Sequence, residues 1–316
     1  MRAIAVSAFR TEPRPVEIPK PEPGAGEVRV RIEYAALNPL DWQTADGALE
    51  GTAPHVFPLV LGVDFAGRVD MIGRGGNRFR VGDPVFGRVT RPPVGQGTYS
   101  EYVSVPQNSP VALAPRDLPL QVAAALPSAG MSAAQILSAV RVGSGGTLLV
   151  VGAAGGVGSY LTQLAAARGV RVIAVVRGDE DRRMAALGAT ATIDTTAGPG
   201  ALEAGLRELS PDGADALVDL VSADPAAFTA ASALVRDGGV ALTTRPVAGR
   251  AAPPPGVECV GFRLAPAPGL LDVLAAGALS GALRSPVDIE LPLEKAPQAL
   301  ARNRAGGARG KTVFAL

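Results

Sequence analysis

Residues 147–160 read Thr-Leu-Leu-Val-Val-Gly-Ala-Ala-Gly-Gly-Val-Gly-Ser-Tyr, an apolar run ending in a glycine-rich turn that continues into helix-forming residues. The chemistry this pattern serves is phosphate binding. Gly155 lets the backbone approach a pyrophosphate, and Gly158 lets the next helix pack closely on the strand. The first free N–H groups of that helix then face the anion together with the positive end of its dipole. Ala153 stands at the usual first-glycine position, and Gly156 and Val157 complete the turn. Alone, such a turn is also compatible with a merely flexible connection; between strand and helix it becomes a nucleotide site.

The second strand of a dinucleotide unit usually ends in an acidic residue that binds the ribose hydroxyls. Here Val170-Arg-Val-Ile-Ala-Val-Val176 is followed by Arg177. A guanidinium there suits a 2′-phosphate, with Arg182 or Arg183 either adding charge or forming a solvated helix face. NADPH is the expected cofactor. Asp179 and Glu180 oppose that preference, although acidic residues that open a helix also have a structural place near its positive end.

Metal chemistry has few ligands available. Cys259 and His55 are the only residues of their types, so neither a four-cysteine nor a mixed Cys/His zinc site is expected, and the metal expectation is none. His55 and Asp64 could ligate, but a solitary His more often has a structural or exposed role. A single Cys cannot close an internal disulfide, which suits a reducing compartment and makes the cytoplasm the expected location.

These residues need a scaffold to position them. With 316 residues the chain exceeds one comfortable core, and two domains are expected. The 30 Lys and Arg against 29 Asp and Glu leave a net charge of +1, too weak a field to make nucleic acid or an anionic membrane an expected partner. Up to about Arg116, short alternating runs such as Glu27-Val-Arg-Val-Arg-Ile-Glu-Tyr34, broken by Gly and Pro, predict a β-barrel. From about Leu118 Ala-rich helices alternate with apolar strands, predicting an α/β parallel sheet. Its six strands are placed at Thr147–Val151, Val170–Val176, Ala191–Asp194, Ala216–Val221, Gly239–Thr243 and Glu258–Phe262. Helices are expected at Val157–Arg168, Glu180–Leu187, Ala201–Leu209 and Pro225–Val235. A tail with helices near Leu270–Ala276 and Leu293–Arg304 and strands at Val287–Leu291 and Lys311–Leu316 is expected to return to the first domain. Pro246–Pro255, with four prolines, reads as a mobile surface loop.

The chain resembles the zinc-free quinone oxidoreductase, zeta-crystallin-like branch of the medium-chain dehydrogenase/reductase superfamily. The residues that carry the resemblance are Ala36-Leu-Asn-Pro-Leu-Asp41, Leu61-Gly-Val-Asp-Phe-Ala-Gly67, Val81-Gly-Asp-Pro-Val-Phe86, Gly97-Thr-Tyr-Ser-Glu-Tyr102, Ala153–Gly158, Leu187-Gly-Ala189 and Gly310-Lys-Thr-Val313. It implies a GroES-like substrate domain from residues 1–117 and 265–316, and a Rossmann domain, doubly wound, from 118–264. It further implies a homodimer through the Rossmann edge strand at Glu258–Phe262. Where zinc-dependent relatives carry cysteine and Gly-His-Glu ligands, this chain has Asn38-Pro-Leu-Asp41 and Gly62-Val-Asp64.

By this resemblance the activity is hydride transfer from NADPH to a quinone or similar conjugated carbonyl. The first alternative is an enoyl reductase for an α,β-unsaturated ketone or thioester, including a polyketide tailoring step; the second is a non-catalytic NADPH-binding protein. Without a metal, an amide or hydroxyl donor must stabilise the oxyanion that develops on the acceptor. The resemblance puts Asn38 at the substrate face, as that donor or as a turn amide before Pro39. Asp41 orients the loop or a water, or caps the following helix. Trp42 stacks on a flat acceptor or packs in the core; Tyr99 and Tyr102, read as alternating on one strand face, are expected to pack. Further cofactor contacts implied by position are Ser132, Val221, Thr243 and Lys311. Thr243-Thr-Arg-Pro246 departs from the usual glycine-containing run, and Arg245 is open between a clamp and an exposed residue.

Overall fold

The computed structural model describes residues 1–89, 92–252, 254–265, 267–307 and 309–316. The chain forms two compact units, Met1–Met131 with Pro266–Leu316, and Ser132–Ala265. No described helix is long and apolar enough to cross a membrane.

The first unit opens with strands β1 (Arg2–Val6), β2 (Arg14–Glu17) and β3 (Glu27–Ala36), then the short helix α1 (Pro39–Ala45). Strands β4 (His55–Val60), β5 (Asp64–Ile72), β6 (Pro84–Arg88), β7 (Val94–Gln96), β8 (Tyr102–Pro106) and β9 (Val111–Leu113) follow, then α2 (Leu120–Ala125) and the start of α3 (Pro127–Val140), which from Ser132 onward belongs to the second unit. The chain's last elements complete this unit, as the sequence predicts: α8 (Pro268–Leu279), β16 (Val287–Pro292), α9 (Ala296–Arg304) and β17 (Lys311–Ala315). Among the described residues, one sheet has the order β2-β1-β4-β7 and the larger one the order β16-β17-β3-β5-β6-β9, with β8 also paired to β3. Strand β3 is central because its alternation buries Val28, Val30 and Ile32. These join Phe65, Val85, Tyr99 and Phe314 in one core. Strand β17 pairs antiparallel with β3, so Val313 lies opposite Ala36 and Lys311 comes beside the end of β3.

The second unit holds β10 (Thr147–Val151), α4 (Gly156–Ala166), β11 (Arg171–Val176), α5 (Asp181–Ala186), β12 (Ala191–Asp194), α6 (Ala201–Leu209), β13 (Ala214–Asp219), α7 (Pro225–Ser232), β14 (Val235–Thr243) and β15 (Glu258–Gly261). The sheet order is β12-β11-β10-β13-β14-β15, every pairing parallel. This is the doubly wound Rossmann arrangement, and its strands are nearly continuous apolar runs because helices cover both faces.

Several expectations need correction. The first unit runs to Met131, beyond the expected boundary at 117, because the buried Ala123–Ala125 face of α2 packs on β3 and β5. The fourth Rossmann strand stops at Asp219, short of Val221. A short 3-10 turn at Leu293–Lys295 precedes α9. The proline-rich segment is not a plain surface loop: it includes a 3-10 turn at Ala248–Arg250, and Val247 is fully buried beside Val257 and Leu217; its residue 253 lies outside the described residues. Tyr99 precedes β8 and Tyr102 starts it, so the two do not alternate along one strand.

Candidate active site and dinucleotide turn

In the second unit, β10 runs into the glycine turn and then α4. Gly152 adopts φ +84°, a left-handed conformation that glycine accommodates readily. The backbone freedom expected of the first motif position therefore lies at Gly152, and the neighbouring Ala153 is simply buried. A Cβ on Gly158 would come 2.5 Å from the Gly152 carbonyl oxygen and 2.6 Å from Ala153 Cα, so helix and turn touch there with no room for a side chain. At Gly155, the helix N-cap, a Cβ would meet only the Gly152 carbonyl oxygen at 3.4 Å, leaving open space beside the backbone. No side chain caps α4, which begins with Gly156 and Val157. A phosphate fits this combination of open backbone and uncapped helix N–H groups.

Around the turn, Arg177 is exposed directly after β11, and Arg182 is exposed on α5. The residue tied to the turn is Arg183: its Nη2 donates to the Ala154 carbonyl at 2.7 Å, and its Nε pairs with the buried Glu180 at 2.7 Å. Glu180 thus partners an arginine. Asp194, at the end of β12, accepts from the N–H groups of Gly178 and Thr196, which hold its carboxyl below the usual range. Ser132 is buried at the start of this unit within α3, and Thr243 is buried at the end of β14, where its Oγ1 accepts from the Arg245 N–H. Val221 is 53% exposed, because Asp219 Oδ1 accepts from the Val221 and Ser222 N–H groups and turns the chain away from the strand. Arg245 is half-buried.

The first unit holds a buried polar cluster. Asn38 caps α1, Pro39 takes the first helical position, and Asp41 reaches back so that its Oδ2 accepts the Asn38 N–H at 2.8 Å. The Asn38 amide is wholly engaged. Its Nδ2 donates to Asp64 Oδ2 at 2.9 Å and to the Ala36 carbonyl at 3.2 Å, and its Oδ1 accepts from Lys311 Nζ at 2.8 Å. A lysine can only donate and a carboxylate only accept, so these partners fix the orientation of the amide. Of the two roles expected for Asn38, a donor to the acceptor or a structural amide before Pro39, these bonds favour the structural one: at 7% exposed, the side chain connects its neighbours.

Lys311, expected at the cofactor, lies buried in this same cluster. It is 3% exposed and donates to the Leu37 carbonyl at 2.7 Å as well as to Asn38, with Asp64 Oδ2 at 3.8 Å. Burial lowers its pKa, opposed by the charges of Asp64 and Asp41. Asp64 also accepts from the Ser128 hydroxyl at 2.6 Å and the Ser128 N–H at 3.1 Å, and Arg88 Nε donates to the same hydroxyl at 2.9 Å. Sequence reasoning missed Ser128, Arg88 and the pairing of Asp64 with Lys311. Those residues are far apart along the chain, and no local motif links them.

Asp41 is 1% exposed. Burial pushes its pKa up to about 7, against the Asn38 N–H and the Tyr99 hydroxyl, which both donate to Oδ2. Among the described residues its Oδ1 has no hydrogen-bond partner. Tyr99, expected only to pack, donates its hydroxyl to Asp41 at 2.7 Å while its ring lies edge-on to Phe314 at 5.1 Å. Gly62, at φ +89°, makes room for that ring: a Cβ there would lie 2.4 Å from Tyr99 Cδ1. Asp41 lines a cleft of about 250 Å³ whose other polar contributors include Thr44, Arg88 and Gln96, and whose apolar wall includes Leu49, Val89 and Pro92. Trp42 lies on a second cleft with Arg10 and Arg304, its Nε1 donating to Asn303 Oδ1 at 3.0 Å. His55 lies edge-on to Phe9 at 5.0 Å. Among the described residues, no group of three or more His, Cys, Asp or Glu is arranged to hold a metal ion.

A GroES-like unit together with a Rossmann unit whose first strand runs through a glycine-rich turn into a helix is the architecture of the medium-chain dehydrogenases and reductases. Residues 24–116 match the alcohol dehydrogenase GroES-like domain family, and residues 156–244 match the zinc-binding dehydrogenase family. The chain is 28% identical over 311 residues to a chloroplast envelope quinone oxidoreductase homolog of Arabidopsis thaliana, spanning 94% of this chain and 92% of that protein. Among solved structures it is similar to the quinone oxidoreductase from Coxiella burnetii, with TM-score 0.89 and 27% identity over 100% of this chain and 99% of that one. It is also similar to a mycobacterial protein solved in complex with NADPH, with TM-score 0.84 and 28% identity over all of both chains. The chain belongs to the medium-chain dehydrogenase/reductase superfamily, in its quinone oxidoreductase branch.

Proposed function

We propose that this oxidoreductase uses NADPH to reduce a quinone or a similar conjugated carbonyl without a catalytic zinc. The observation that carries the cofactor preference is Arg177, exposed where an acidic ribose-binding residue would end β11, with Arg183 anchored at the turn beside it. The similarity to a protein solved with NADPH supports the same reading. When bound, the dinucleotide supplies the hydride. The chain's own part is to hold the pyrophosphate on the α4 N–H groups, the 2′-phosphate on guanidinium, and the acceptor in a cleft with few polar groups.

Zinc independence rests on the buried cluster. Asp64 is satisfied by Asn38, Ser128 and the nearby Lys311 ammonium, so its negative charge already has a cationic partner in the protein. We also propose a homodimer through β15, the edge strand of the Rossmann sheet, and a cytoplasmic location consistent with the lone Cys259.

The test is titration of the purified protein with NADPH and NADH, then oxidation of the tighter cofactor by a quinone and by an enone. Tighter NADPH binding with quinone turnover supports the reading. Turnover of enones alone replaces it with enoyl reduction, and binding without hydride transfer to any acceptor leaves a cofactor-binding protein. Arg177→Asp is expected to weaken NADPH and spare NADH; an unmoved preference would place the 2′-phosphate elsewhere.

A further inference from the structure

The carboxyl of Asp41 is used on one side only. Oδ2 accepts from the Asn38 N–H and the Tyr99 hydroxyl, whereas Oδ1 is buried without a partner among the described residues, on a residue that forms part of the cleft wall. An orphaned carboxyl oxygen in such a place is costly unless it carries a proton or meets a donor. Among the described residues, the charged and titratable groups around it are Asp64, Lys311, Tyr99 and, on the same cleft, Arg88. Lys311 and Asp64 balance one another, so a second carboxylate at Asp41 would add an unbalanced buried charge. Arg88 Nε is directed to Ser128. The cleft is otherwise mainly apolar, and its size, below the usual range for drug-sized ligands, suits a flat one- or two-ring compound with a single polar end.

We propose that Asp41 is the proton donor of the reaction, its Oδ1–H bonding to the carbonyl oxygen of an acceptor seated in this cleft. The proposal rests on the reductase reading above. In the step, a hydride from reduced nicotinamide adds two electrons to the conjugated acceptor and leaves negative charge on its carbonyl oxygen. The Oδ1–H bond breaks, an O–H bond forms on the acceptor, and Asp41 is left as a carboxylate. The Asn38 N–H and Tyr99 hydroxyl stabilise that carboxylate, and water returns the proton in the next cycle. A quinone leaves as hydroquinone; an enone leaves as an enol that becomes the ketone in water. The burial that raises the carboxyl toward neutrality keeps the proton available under ordinary conditions.

The experiment measures binding of 1,4-naphthoquinone to the protein without dinucleotide, from pH 5.5 to 8.5, for the unmodified chain, Asp41→Asn and Tyr99→Phe. The unmodified protein should lose about tenfold in affinity per pH unit once the donor has ionised near pH 7. Asp41→Asn keeps an N–H donor at the Oδ1 position but has no titrating proton, so its affinity should be independent of pH. Tyr99→Phe removes a hydrogen bond that favours the carboxylate and should move the midpoint to higher pH, which keeps the test decisive even if Asp41→Asn fails to fold. With NADPH present, Asp41→Asn should lose roughly 10²–10⁴ in kcat. Absence of naphthoquinone binding, a pH-independent affinity in the unmodified protein, an unmoved midpoint in Tyr99→Phe, or full kcat in Asp41→Asn overturns the proposal. A pH-dependent affinity with no hydride transfer in the unmodified protein would instead reject the reductase reading and leave only the Asp41 hydrogen bond to the bound carbonyl.

Discussion

Replacing Asp41 by Asn exchanges the acid hydroxyl for an NH2 group, removing the titrating proton with almost no change in volume, so its effect on stability can be derived from the site. The folded carboxyl titrates at about 7 against an ordinary value of 3.8, chiefly because it is buried. Between those values the folded chain keeps a proton that the unfolded chain has released. Stability from this group is therefore full below about pH 4, declines as pH rises toward 7, and levels above it. From pH 5 to pH 8 the decline amounts to roughly 2–3 kcal/mol, at about 1.4 kcal/mol per unit of pKa difference. The amide of the Asp41→Asn variant does not titrate, so subtracting the variant's stability from that of the unmodified protein isolates the contribution, and the other titrating groups largely cancel. Trp42, the only tryptophan, lies next to Asp41 and half-buried in the same unit, so its fluorescence during urea unfolding reports the relevant domain. Parallel stability curves for the two proteins across this range would refute the assignment of a protonated, desolvated carboxyl at position 41.

Lys311→Met should destabilise the barrel unit by about 3–5 kcal/mol, because it removes the cation facing buried Asp64 and the donor to Asn38; urea unfolding checks this, and a loss under about 1 kcal/mol would deny the pair its role. Gly158→Val should abolish dinucleotide binding while leaving the barrel folded, since any Cβ would collide with Gly152 and Ala153; calorimetric titration with NADPH reads it, and unchanged affinity would reject the turn as the phosphate site. Gly62→Ala should cost about 1–3 kcal/mol by forcing a strained φ and displacing the Tyr99 ring, with a matching change in the pH dependence that Asp41 governs; a neutral substitution would show that the ring has room to move.

The Rossmann unit was largely legible in the sequence. Its strands are buried on both faces and its turn needs glycine for local steric reasons, so Thr147–Tyr160 announces strand, turn and helix without knowledge of anything distant. The return of the tail was legible as well, through the apolar strand at Lys311. Within the Rossmann unit the local signal ended where side chains choose between neighbours. Arg182 and Arg183 are equivalent by composition, and only the folded turn brings the Ala154 carbonyl within 2.7 Å of the second.

In the barrel unit, sequence determined which groups were present and tertiary structure decided what they do. Asn38-Pro-Leu-Asp41 carries a capping pattern readable from four residues, and Asp41 does reach the Asn38 N–H. Whether Asn38 offers its amide outward depends on Asp64 and Lys311, which lie 26 and 273 positions away and bind both ends of it. The same holds for Asp41: Tyr99, 58 positions away, occupies one oxygen, and among the described residues the other is unpartnered. Hydrogen-bond partners and desolvation are properties of a packed neighbourhood, and a pKa or a free donor becomes defined only when residues from β3, α1, β5 and β17 are brought together.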